Sequence, residues 1–122
     1  MAVIMIVDDS GFTRRTHRRI IESAGHTVHE ATSGMAAIES FFVHRPDLVL
    51  LDLTMEDMGG LEVLEKFQEL SAGARVIVIS ADIQRSTTQL VASSGAYRFL
   101  GKPVAPQTPL ATVGEALAEG PA

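Results

Sequence analysis

Three unbroken apolar runs constrain this chain more than any other feature: Ala2–Val7, Leu48–Leu51 and Val76–Ile79. Each is too short for a packed helix of ordinary length and is rich in Val, Ile and Leu. That pattern belongs to strands covered on both faces. Two further segments have strand character, Thr27–Ala31 and Tyr97–Leu100. The first of these is less apolar, which places it nearer a sheet edge.

Helical periods separate the strands. Ser10 to Ala24 has an inward row of Thr13, Thr16/His17, Ile20/Ile21 and Ala24, and Gly25 supplies the left-handed residue a helix C-terminus favours. Ser33 to His44 carries Met35, Ile38, Phe41 and Phe42 on one expected side, and Arg45-Pro46-Asp47 ends it. After Gly59-Gly60 comes a helix with Leu61, Val63, Leu64 and Phe67, closed by Ala72-Gly73. A weaker helix runs from about Ile83 to Ser94, and a last one from Leu110 to Leu117 follows Pro106 and Pro109. Strict alternation of buried strands with helices implies an α/β fold, a parallel sheet with helices on both faces and right-handed crossovers. No linker or repeat divides the 122 residues, so one domain over 1–122 is expected.

In such sheets ligands sit beyond the carboxyl ends of the strands. Asp8-Asp9 follows the first strand, Asp52 the third, Ser80 the fourth and Lys102 the fifth. A parallel sheet brings all of them to one edge. Three carboxylates converging within a few ångströms repel unless a cation joins them. An all-oxygen site suits a hard divalent ion such as magnesium. With lysine as a fixed charge and serine as a hydroxyl donor, the ligand that uses the whole set is a phosphoryl group.

Composition narrows the alternatives. The absence of cysteine excludes disulfide frameworks and thiolate metal sites. A net charge of -5 argues against nucleic acid. No apolar run is long enough to span a bilayer, and the first lacks the basic flank of a signal peptide, so neither membrane nor export is expected. A cytoplasmic location is.

The segments Val7-Asp8-Asp9-Ser10, Leu51-Asp52-Leu53-Thr54-Met55 with Met58 and Gly60, Ser80-Ala81 and Gly101-Lys102-Pro103 together resemble those of response-regulator receiver domains (CheY-like). The likeness covers nearly the whole chain. It implies a doubly wound, flavodoxin-like sheet of five parallel strands in the order 2-1-3-4-5. It also implies roles. Asp52 would accept a phosphoryl group from a histidine kinase or phosphotransfer protein in two-component signalling. Asp8, Asp9, Asp52 and the Thr54 carbonyl would hold Mg2+. Lys102 and Ser80 would contact phosphoryl oxygens, and Phe99 would be the switch aromatic, although an aromatic on an alternating strand is also ordinary core. Such a protein is a phosphoacceptor switch that speeds its own phosphorylation and dephosphorylation rather than a metabolic enzyme.

Two other functions compete. A magnesium-dependent aspartyl phosphatase would carry a second acid two residues after the nucleophile, where this chain has Thr54. A degenerate receiver would bind its partner constitutively. The chain departs from the receiver pattern where Glu56 and Asp57 follow Met55 in place of the usual proline, and in its short, proline-flanked last helix, whose docking the sequence leaves open. With no output domain after Ala122, the expectation is signalling by direct contact, or a fragment of a longer regulator.

Two surfaces stand out. Arg14, Arg15, Arg18 and Arg19 crowd the first helix, either as a solvated face partly relieved by Glu22 or as a docking patch for an acidic phosphodonor protein. From Ser86 to Gly114 the only charged residues are Arg98 and Lys102. That charge-poor stretch is the expected face for a downstream partner or a second copy, unless it is simply neutral surface. His17, His26, His29 and His44 lack metal-ligand spacing; His17 is expected to pack within its helix and the others to lie at the surface.

Overall fold

In the computed structural model, which describes residues 2–53, 60–70, 75–80, 85–101 and 108–118, strands and helices alternate as the apolar runs require. The elements are β1 (Val3–Val7), α1 (Gly11–Ser23), β2 (Thr27–Ala31), α2 (Gly34–His44), β3 (Leu48–Asp52), α3 (Gly60–Leu70), β4 (Val76–Ser80), α4 (Arg85–Ser93), β5 (Arg98–Gly101) and α5 (Thr108–Ala118). The strands form one parallel sheet in the order β2-β1-β3-β4-β5. β2 takes an edge, in keeping with its more polar sequence. No described helix is long and apolar enough to cross a membrane.

The two faces of the sheet bury separate cores. Because side chains alternate along a strand, Met5, Val7, Val49, Leu51, Val76 and Val78 join α2, α3 and Val91 of α4 on one side. Ile4, Ile6, Leu48, Leu50, Ile77 and Ile79 join Ile21 of α1 and Val113 and Ala116 of α5 on the other. Phe41 and Phe67 stack at 4.7 Å between centroids, which pins α2 to α3.

Local chemistry sets the helix ends. Ser10 and Ser33 cap α1 and α2, accepting from the Thr13 and Ala36 N–H groups at 3.3 and 3.2 Å. Beyond α1 the chain turns through Gly25, whose φ of 91° an L side chain resists.

Several expectations about helix faces are corrected. On α1 only His17 and Ile21 are buried, and Ala24 is exposed. On α2 the buried row is Gly34, Ala37 and Phe41, whereas Met35 and Phe42 face solvent. α2 has apolar side chains on several sides, and the row that includes its small residues Gly34 and Ala37 is the one buried. In α4, Val91 enters the core while Leu90 is exposed. The docking of the last helix, which the sequence left open, is settled by its buried residues. Pro109, Thr112, Val113 and Ala116 are buried, and Arg75 donates from the foot of β4 to the Ala116 carbonyl. Proline in a first helical turn sacrifices no helix hydrogen bond, so Pro109 does not weaken it.

Candidate functional site

Strand register assembles the acidic hollow. Val7 of β1 lies opposite Leu51 of β3, and the next residue on each strand is an aspartate, Asp8 and Asp52. Both are buried, at 4% and 5% exposure, while Asp9 opens to solvent. One carboxylate oxygen from each of the three falls within 4.8 Å of the others. This is the cluster expected from the strand ends.

Asp8 is held at three points. Its N–H donates to the Ala31 carbonyl at 3.2 Å, extending the β1–β2 ladder by one bond. Its carbonyl accepts from Arg14 Nη1 at 2.7 Å, and its Oδ1 accepts from the Ser10 N–H at 2.8 Å. The same Ser10 caps α1, so the acid pair and the helix start form one turn. A carboxylate has about four lone-pair sites, so the Ser10 bond leaves Asp8 capacity for a cation.

Three carboxylates packed this closely are a donor set of hard, negative oxygens, which fits a small divalent cation such as magnesium better than a softer ion. No thiolate or imidazole belongs to the cluster.

Ser80 ends β4 and is buried to 1% exposure. Asp52 lies opposite Ile79, so Ser80 stands one residue further along the neighbouring strand, toward the site. Phe99 of β5 is half-buried and packs against the core on the α2–α3 side. Lys102 and Thr54 lie outside the described residues, as do Met55, Glu56, Asp57 and Met58.

The arginines of α1 divide into two pairs. Arg14 Nε bonds Glu30 at 3.0 Å, and Arg18 bonds both Glu30 and Glu22. The two bonds to Glu30 outweigh its burial and hold that carboxyl below the usual carboxylate range, with Arg18 the larger cause. The Arg18 guanidinium is raised in turn, chiefly by Glu30. Arg15 and Arg19 remain exposed beside Phe12, which is 75% exposed on the first turn. The four-arginine patch is therefore two arginines engaged by carboxylates and two facing solvent. The sequence offered Glu22 as partial relief for the arginine face but not Glu30, which lies on the next element, β2.

Comparisons with known proteins agree with this geometry. A family model described as the response regulator receiver domain matches residues 4–113. The chain is 36% identical over 104 residues to the chemotaxis protein CheY of Thermotoga maritima, spanning 84% of this chain and 87% of that one. It is 39% identical over 101 residues to CheY of Bacillus subtilis, spanning 82% and 84%. Among solved structures, a CheY-like receiver domain protein from Methanospirillum hungatei superposes with a TM-score of 0.93 at 28% identity, covering 98% of this chain and 95% of that one. A CheX-CheY-BeF3-Mg complex from Borrelia burgdorferi contains a chain matching at 33% identity and a TM-score of 0.87, covering 93% and 87%.

Proposed function

This chain belongs to the response regulator receiver domain family, and we propose that Asp52 is the residue through which it takes up a phosphoryl group. The observation that carries this reading is the convergence of Asp8, Asp9 and Asp52 at the carboxyl edge of the sheet, two of them buried.

A carboxylate is a weak nucleophile that needs alignment and charge neutralisation more than a base. An Asp52 oxygen forms a bond to phosphorus as the donor's own bond to that phosphorus breaks, and the leaving group keeps the electron pair. The product is an acyl phosphate on Asp52. Asp8, Asp9 and Asp52, with the Thr54 carbonyl, would hold Mg2+, which supplies positive charge against the incoming anion. Lys102 pairs with one phosphoryl oxygen and Ser80 donates its hydroxyl to another. Ser80 and Phe99 then shift together, which favours one of two states of the β4–α4–β5 face. The chain is a switch that speeds its own phosphorylation and hydrolysis.

The donor is a histidine kinase or phosphotransfer protein. Phe12, Arg15 and Arg19 offer it an exposed apolar and basic face on α1, the helix that follows the acid pair. The output partner, or a second copy, takes the charge-poor 86–114 face, where Leu90 is 54% exposed and Arg98 is occupied by Glu115 at 3.8 Å.

Incubating the chain with a small acyl-phosphate donor and magnesium tests the assignment. The unaltered chain gains one phosphoryl group, by intact mass, and Asp52→Asn gains none. Labelling of that variant at the unaltered level refutes the acceptor role.

A further inference from the structure

Arg14 joins two groups that the chain separates. Its Nη1 donates to the backbone carbonyl of Asp8 at 2.7 Å, and its Nε donates to Glu30 Oε1 at 3.0 Å. Glu30 lies on β2, opposite Ile6 of β1, two residues short of Asp8. A guanidinium is a rigid, planar fork, so fixing Nε fixes where Nη1 points. Its side chain is only 16% exposed and that of Glu30 24%, so water competes weakly for these bonds. Arg18 bonds the other oxygen of Glu30, leaving the oxygen that Arg14 uses untouched, and no bond joins Arg18 to Asp8 among those described.

We propose that Arg14, clamped by Glu30, is a positioning residue for the cation site: it holds the Asp8 carbonyl, and with it the turn that presents Asp8 and Asp9 to Asp52. The inference rests on the receiver reading of that acidic cluster. Groups that orient metal ligands typically account for about tenfold or more in metal affinity. Charge and geometry make opposite predictions. Removing a cationic side chain beside an acidic site strengthens cation binding by Coulomb's law alone. If Arg14 acts by holding the turn, its removal weakens binding instead.

The test is magnesium titration by calorimetry on the whole chain, alongside urea unfolding to establish that each variant is folded under the titration conditions. Arg14→Ala is expected to bind magnesium about tenfold more weakly than the unaltered chain. Arg18→Ala, which removes an equal charge from the same helix, is expected to bind as the unaltered chain does. Arg14→Lys keeps the charge but loses the planar fork and weakens binding in the same direction, and this variant carries the test if Arg14→Ala does not fold. Adding Arg14→Ala to Glu30→Ala, which has no acceptor for Arg14, produces little further loss, because the two act as one unit. Unchanged or tighter binding by Arg14→Ala, or an equal loss in Arg18→Ala, overturns the positioning role while leaving the receiver reading intact. No magnesium binding by the unaltered chain overturns both.

Discussion

Asp8 and Asp52 stand one residue past the register pair Val7–Leu51 on adjacent parallel strands, and both are buried. Their proximity follows from the backbone pairing of the sheet. The repulsion between them is therefore built into the fold, and a cation or the loss of one charge relieves it.

In chelator, Asp52→Asn is expected to be more stable than the unaltered chain by urea unfolding. Magnesium at a hundred times its dissociation constant should add about 2.7 kcal/mol to the unaltered chain. The gain should be smaller in the variant. Equal stabilisation of both would detach Asp52 from the cation.

Lys102→Ala and Ser80→Ala are expected to keep magnesium binding, since neither supplies a carboxylate. They should lose the proposed response of the 86–114 face to phosphorylation. Amide hydrogen exchange over α4 and β5, with and without the phosphoryl donor, reads this directly. A full response in Lys102→Ala would remove lysine from the switch.

His29 and His44 stack with centroids 3.8 Å apart. Burial, then His44, then Arg18 lower the pKa of His29 from its ordinary 6.5. The unfolded chain thus takes up a proton on His29 at a higher pH than the folded chain does. The stabilisation is fully present above pH 6.5 and is lost as pH falls through the lower, folded-state value. His29→Gln should flatten the fall in urea midpoint just below that pH, and an unchanged profile would contradict the assignment.

Phe41 and Phe42 are neighbours in sequence with opposite fates. Phe41→Ala should cost about 3–5 kcal/mol by urea unfolding, because it leaves a cavity against Phe67. Phe42→Ala should cost about 1 kcal/mol or less, since the exposed ring is engaged chiefly by the Arg45 guanidinium 5.0 Å above it. Similar losses in the two variants would contradict the observed face of α2.

The chain order of elements, the parallel sheet and the candidates Asp8, Asp9, Asp52 and Ser80 were all legible in the residues. An apolar run marks a buried strand wherever it occurs, and a polar residue at its end must emerge at the sheet edge. These are short-range properties, and register converts them into a site without further instruction. The buried face of α2 was not legible, because Met35, Ala37, Ile38, Phe41 and Phe42 offer more than one apolar side. The choice belongs to the sheet and to α3, against which α2 packs. Nor were the contacts of Arg14 with Glu30 and of His29 with His44, because each joins a helix to a strand rather than residues one helical turn apart. Their spacing carries no periodic signal, and only the docking of α1 and α2 on opposite faces of the sheet brings the partners together. In this molecule local pattern determined which groups reach the site, and tertiary packing decided what holds them there.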